Sequence, residues 1–472
     1  MDRRRFLKRA LLATGGVAAA TVVPAAVTPL VCPETMRFDP NTSFWAQGQP
    51  PETTPLAGDI RVDTAIIGGG LTGLFAACHL AARFPAKRIL LLEARQVGHG
   101  ASGRNGGMVL TQSTNESFEI GDDEETHRLL YRMTSQAILD LRDLVREEDG
   151  DCDLILDGFL FAARDQDEAE GCEEYVEKAR RLGLPVEYLT EEETAREIGA
   201  QAYSGSVYDP SGGQVNPMKL VLLLKQAALA RGVTVCESSP VMAISEGQPA
   251  HLSVGEKGYQ VTTDRIILAT NAYTSKLGYF RNGVLPIHTQ TAVTPPLSPA
   301  LLAKIGWRSR LPYYDSLNYL YHLILTPDNR ICIGGGNAEY FFNNGTHYPY
   351  DLHGIAELLS GELARLYPDL KGIGFDNIWN GMIGATWDGQ ESVGVTGRHG
   401  NLYHALAYNG SGITLSCLFG KVLADLFEGK TAPWEKAPFF NHDMPFIPPE
   451  PLRWLGTQVA FAYYRYQDAK QG

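Results

Sequence analysis

The sequence predicts an α/β protein in two parts: a Rossmann-like nucleotide-binding domain and an α+β second lobe made mainly of antiparallel sheet. Two observations carry this. Residues 63–77 read as strand, glycine turn and helix (Asp63-Thr64-Ala65-Ile66-Ile67, Gly68-Gly69-Gly70, then an Ala/Leu-rich run), and Arg88–Leu92 supplies a second apolar strand ending at Glu93. From Gly283 to about Asp388 the pattern changes to short strands and turns rich in Tyr, Trp and His. The chain of 472 residues is long enough for two cores.

In the first element each glycine of G-x-G-x-x-G has a physical task. Gly68 suits the sharp turn, Gly70 admits backbone close to a pyrophosphate, and Gly73 lets the helix pack on the strand. Amides at the helix start, aided by the helix dipole, then face phosphate. Glu93, 20 residues after Gly73, is placed to accept hydrogen bonds from a ribose hydroxyl.

A glycine-dense loop follows, His99-Gly100-Ala101-Ser102-Gly103-Arg104-Asn105-Gly106-Gly107. Apolar spacing predicts a long amphipathic helix over Glu124–Glu148, a hairpin over Asp153–Ala163 turning at Asp157-Gly158, and a charged helix from about Asp165 to Leu182. Thr190-Glu191-Glu192-Glu193 reads as a capped helix start. A helix over Asn216–Arg231 leads to strands at Thr234–Cys236, Pro240–Ile244, His251–Val254 and Tyr259–Thr262. Arg265 to Tyr273 reads as the strand returning to the nucleotide sheet. In the second lobe one helix is expected near Ile355–Tyr367. Asn401–Ala407 is a strand, Tyr408-Asn409-Gly410-Ser411-Gly412 a turn, and Ile413–Glu428 a long helix.

The N-terminus belongs outside the fold. Arg3-Arg4-Arg5-Phe6-Leu7-Lys8, a weakly apolar run over Ala10–Val23 and small residues at Val23–Ala26 resemble a twin-arginine export signal, either cleaved or kept as an anchor. That resemblance implies a periplasmic location or the outer face of the inner membrane. Forty-one Lys and Arg against 54 Asp and Glu give a net charge of −13, which argues against a nucleic-acid partner. The seven cysteines show no C-x-x-C and no histidines at metal-ligand spacing, so no metal site is expected and the thiols read as isolated and mostly buried. No Ser-His-Asp arrangement points to hydrolysis.

Together, Ile66–Gly73 with Glu93, the A-S-G-R-N-G-G loop, Leu268–Tyr273, Leu325–Arg330 through Gly334-Gly335, Leu402–Gly412 and the tail Pro451–Arg465 resemble the D-amino-acid-oxidase-like FAD oxidoreductases, within them the gamma-glutamylputrescine oxidase branch. The resemblance implies FAD, and three separated glycine elements agree with a large ligand gripped at several points. The candidate cofactor contacts are Gly68, Gly70, Leu71, Thr72 and Gly73 with Glu93 and Ala94; Ser102, Arg104, Asn105, Gly106 and Gly107 in the loop; Val241, Ala269 and Thr270; and Gly410, Ser411, Gly412 and Ile413, whose helix start would face the flavin N1–C2 edge.

The implied division is an export signal at 1–31, an N-terminal arm at 32–58 packing on the surface, a discontinuous FAD-binding domain (59–110, 200–282, 389–432), a substrate or cap region (111–199, 283–388) and a tail with a helix (433–472). Relatives that tether flavin use a cysteine in the stretch matching Trp379–Trp387. Here it reads W-N-G-M-I-G-A-T-W, so non-covalent FAD is expected, with His99 the other conceivable attachment point.

The chemistry implied is oxidation of an amine or amino-acid C–N bond, with oxygen or a quinone as electron acceptor. A dry aromatic pocket serves it by desolvating the amine. Tyr319, Tyr321, Trp379 and Trp387 are the aromatic candidates; Tyr321, His322 and Trp387 are the chosen lining residues, with His322 orienting substrate or passing a proton. His322 stands where the branch often carries arginine. The mixed apolar, aromatic and basic tail Trp454–Tyr466 fits either a helix packed on the protein or a peripheral membrane contact.

Overall fold

The computed structural model describes residues 42–48, 54–111, 123–347 and 351–471. The export-signal reading at 1–31, most of the predicted N-terminal arm and Cys32 lie outside the described residues.

Two eight-stranded sheets form the frame. In the first, five parallel strands run in the order Leu402–Leu406, Tyr259–Leu268, Ile60–Ile67, Ile89–Leu92 and Thr234–Cys236. Ser392–Thr396 closes one edge antiparallel. Val241–Ser245 and Ala250–Val254 extend the long Tyr259–Leu268 strand as a meander, so the two strands expected at Tyr259 and Arg265 are one. The parallel strands read as near-continuous apolar runs because helices Leu71–Arg83, Pro217–Ala230 and Gly412–Phe427 bury one face.

The second sheet runs Asn377–Ala385, Leu285–Val293, Ile331–Gly335, Tyr321–Leu325, Tyr313–Asp315, Phe159–Ala163, Gly205–Asp209 and Glu187–Thr190. All its pairings are antiparallel except Tyr313–Asp315 with Phe159–Ala163. Both predicted fold elements are therefore present.

Chain order and layer membership part company in three places. The hairpin expected over Asp153–Ala163 is absent: Phe159–Ala163 is fully buried and pairs with Gly205–Asp209 and Tyr313–Asp315. Gly205–Asp209, which falls in the stretch assigned to cofactor binding, is an inner strand of the second sheet. Glu124–Glu147, within the stretch assigned to the cap, sends Leu130, Ile138 and Leu141 into the core beneath Gly412–Phe427.

Local capping follows the sequence closely. Thr190 and Glu193 form a reciprocal capping box, and Asp165 and Asn216 accept from the first-turn amides of their helices. The six described cysteines are buried and unpaired. Among the described residues no helix is long and apolar enough to cross a membrane, and no group of three His, Cys, Asp or Glu side chains is placed to hold a metal ion.

Candidate active site

A cavity of about 1600 Å³ runs between the two sheets. A drug-sized ligand typically occupies a pocket of about 300–1,000 Å³, so this one has room for a large cofactor and a small substrate together.

At one end the strand Ile60–Ile67 ends in the glycine turn. Gly68 sits at φ +109°, and a Cβ there would lie 2.5 Å from the Ala269 carbonyl oxygen, so a side chain is barred both conformationally and sterically. The Gly69 amide donates to Glu93 Oε2 (2.7 Å) and the Arg95 amide to Oε1 (2.9 Å). Burial pushes the Glu93 carboxyl above its ordinary value, and these two donors oppose that shift. The Leu71 amide, at the helix start, donates to Ser102 Oγ (2.9 Å), so the glycine loop caps the helix that the turn begins. Gly68, Gly70, Leu71, Thr72, Glu93, Ala94, Val241, Ala269 and Thr270 all line the cavity. Gly73 does not: it packs against the Gly68 carbonyl, the helix-on-strand task expected of it.

The A-S-G-R-N-G-G loop is held through its carbonyls. Trp379 Nε1 donates to Arg104 O (2.8 Å), Trp45 Nε1 to Asn105 O (3.0 Å), and Ser43 Oγ to Gly103 O (2.6 Å). Trp45 is 7% exposed and meets Trp379 edge-on at 6.4 Å. Ser43 and Trp45 thus sink from the arm into the core, while Thr42, Gln47 and Gly48 beside them stay exposed. Arg104 is buried, and its Nε and Nη1 donate to the carbonyls of His99 and Asn380 (2.7 and 3.0 Å). The guanidinium therefore ties the loop to the second sheet. Ser102, Arg104, Asn105, Gly106 and Gly107 line the cavity.

A second helix start arrives from the far end of the chain. Gly410, Ser411, Gly412 and Ile413 line the cavity at the N-terminus of Gly412–Phe427. The two helix starts are joined by Thr72 Oγ1, which shares hydrogen bonds with Tyr408 Oη (2.6 Å) and Ser416 Oγ (3.1 Å). Asn409 Oδ1 accepts from the Thr386 amide (2.9 Å), stitching this turn to the second sheet.

The second sheet closes the other side. His322 projects toward the loop: a Cβ on Gly106 would lie 2.5 Å from its Nδ1, and one on Gly334 would lie 2.5 Å from its Cε1. Burial lowers the His322 pKa to about 4, so the ring is neutral above that pH. Its buried Nδ1 has no hydrogen-bond partner among the described residues, and neither has Trp387 Nε1. Both side chains line the cavity.

Tyr321 does not line it. Alternation along Tyr321–Leu325 turns its ring to the opposite face, where it packs in the second core with Arg164 5.4 Å above it. Trp379 is likewise fully buried and anchors Arg104 instead of lining the cavity. The tail helix Leu452–Asp468 adds Thr457, Ala460, Phe461 and Tyr464 to the wall, beside Tyr319. Its outer face exposes Leu452, Leu455, Val459 and Tyr466. The helix is therefore packed on the protein on one side and apolar on the other.

The site fits an FAD. Two helix N-termini converge on one cavity, glycines line it where side chains would clash, and an acid stands at the end of the second parallel strand.

The comparisons agree. Residues 63–426 match the family model described as FAD dependent oxidoreductase. The chain is 32% identical over 422 residues to gamma-glutamylputrescine oxidoreductase of Escherichia coli, covering 87% of this chain and 93% of that protein. It is 27% identical over 390 residues to glycine oxidase of Geobacillus kaustophilus, covering 80% and 96%. The crystal structure of glycine oxidase from Geobacillus kaustophilus superposes with a TM-score of 0.70 over 82% of this chain and 99% of that one, at 24% identity. That of L-proline dehydrogenase from P. horikoshii gives 0.67 over 80% and 96%, at 20% identity.

Proposed function

Since the chain belongs to the FAD-dependent oxidoreductase family, we propose that it oxidises the C–N bond of an amine or amino acid, a polyamine derivative or similar, to the imine. The observation that carries this reading is the single cavity in which the glycine cradle faces His322, Trp387 and Tyr319. FAD, held without a covalent bond, supplies the hydride acceptor when present.

The protein's own part is to bind, orient and dry the amine. Aromatic walls from Trp387, Tyr319, Phe461 and Tyr464 favour the neutral amine over the ammonium form, because burial disfavours the charged species. The His322 ring, neutral above a pH of about 4, accepts a hydrogen bond from the amine N–H and so orients it. With so low a pKa it is a poor proton store, and its role is orientation. As hydride leaves the α-carbon the nitrogen lone pair becomes the second bond of C=N, and the nitrogen's proton passes to solvent. Water then hydrolyses the imine to an aldehyde or keto acid plus ammonia or an amine.

Oxygen as acceptor makes the protein an oxidase. A quinone-linked dehydrogenase is the second reading, supported by the exposed Leu452, Leu455, Val459 and Tyr466 on the helix whose inner face walls the cavity. That apolar stripe suits peripheral membrane contact. The resemblance of Arg3–Lys8 to a twin-arginine signal supports a periplasmic location or the outer face of the inner membrane in this reading.

Anaerobic bleaching of the bound flavin tests the proposal, screened over polyamines, their γ-glutamyl conjugates, cyclic amino acids and D-amino acids. Bleaching by at least one of them is expected. A flavin that none of them reduces overturns the proposal in favour of a non-catalytic flavoprotein acting in partner binding or assembly.

A further inference from the structure

The substrate side of the cavity is closed in part by Asn318, Tyr319 and Leu320, the tip of the connection between strands Tyr313–Asp315 and Tyr321–Leu325. At its base the connection is held by Asp315, whose Oδ1 accepts from the amides of Leu317 (3.3 Å) and Tyr321 (3.0 Å). Its tip is held from a part of the chain about 150 residues away. Asp468 Oδ1 accepts from the Asn318 amide (2.8 Å) and Asn318 Nδ2 (2.6 Å), and Oδ2 accepts from the Tyr319 amide (2.8 Å). Tyr319 then donates its hydroxyl to the Phe461 carbonyl (3.2 Å) and meets the Phe461 and Tyr464 rings edge-on at 6.1 and 6.5 Å.

Asp468 is the last residue of its helix, where the helix dipole disfavours a negative charge. The carboxylate is therefore not explained by helix stability, and all three donors it holds belong to the cavity wall. We propose that Asp468 is a positioning residue for the substrate: acting through Asn318 and Tyr319, it fixes the wall against which the amine is held. The proposal rests on the reading above that the His322–Trp387 end of the cavity takes the amine.

The test compares wild type, D468N and Y319F as FAD-loaded, full-length protein, using the amine that bleaches wild-type flavin fastest. In D468N one acceptor oxygen becomes an NH₂ group that confronts amide donors, so the wall shifts while the nucleotide end, on the other sheet, is untouched. The expected result is a rise in KM of about tenfold to a hundredfold with kcat changed less than about threefold, and an unchanged flavin spectrum and FAD content. Y319F, which loses only the hydroxyl tie to Phe461, shifts KM in the same direction by less, and it decides the matter if D468N does not fold. A folded D468N, or in its absence Y319F, with the wild-type KM overturns the positioning role and leaves the amine reading intact. A wild-type flavin that no amine reduces overturns both.

Discussion

The ring of His322 occupies the space that a side chain at Gly106 would fill, with a Cβ there only 2.5 Å from Nδ1. Loop and sheet are fitted to one another at this point, and a side chain added at Gly106 must displace the His322 ring or the loop. G106A should therefore push the ring or the loop out of place and lower the amine-oxidation rate by about tenfold or more, since small misplacements at a reacting centre are costly. The double variant G106A/H322A should regain flavin binding lost in G106A, because the clash is gone. Flavin absorbance per protein across the four members of the cycle checks this.

Trp379 should prove a cofactor residue although it touches the cavity nowhere. W379F keeps the ring in the core but removes the donor to the Arg104 carbonyl, leaving a buried acceptor unpaired at a cost of about 1–3 kcal/mol. FAD retention on dilution should fall, with a smaller effect on the apoprotein melting temperature.

Stability should fall as the medium is acidified from pH 6.5 toward 4. His322, His79 and His404 all have pKa values lowered to about 4 by burial. In that interval the unfolded chain takes up protons that the folded chain refuses, so unfolding is favoured as pH drops, by at most about 1.4 kcal/mol per pH unit for each histidine. H322N should remove one share of that slope, and denaturant midpoints at a series of pH values measure it.

The buried network behind the second sheet should be intolerant of truncation. Arg164 reaches Asp315 and Glu362, and Glu362 is also held by Arg365 (2.8 Å). R164M leaves the buried Asp315 carboxylate without its cation, while Glu362 keeps Arg365, and should cost about 3–5 kcal/mol in unfolding free energy.

Acid precipitation should release the flavin into the supernatant, as expected of a cofactor held by helix starts and glycine loops alone. Flavin remaining with the pellet would point to a covalent link, and peptide mass mapping around His99 would locate it.

How much of this was legible in the sequence differs by element. The glycine turn, Glu93, the A-S-G-R-N-G-G loop and the Gly410–Ile413 helix start are read from local pattern because their work is done by contiguous backbone. The substrate wall is not local. Between Tyr321 and His322 a shift of one residue decides which side chain faces the cavity, and periodicity names the two faces without saying which is inward. The loop fastenings by Trp45 and Trp379 depend on donors distant in sequence, as does the hold of Asp468 on Asn318, and no motif announces them. Aromatic richness around Tyr319–Trp387 was a true signal for the pocket, but it did not separate lining rings from anchoring ones.

The carbonyls of residues 103–105 are fastened by Ser43, Trp45 and Trp379, donors some 60 residues before and 275 residues after them. These are long-range links, and the chain entropy of closing each loop is lost before its contact is gained. The segment from Ile60 to Glu93 has its fingerprint complete within one short βαβ stretch and can form early. The loop needs residues 43–45 and Trp379 in place. A cofactor that grips this loop therefore reports on contacts made by segments far from it in the chain, as well as on the local glycine fingerprint.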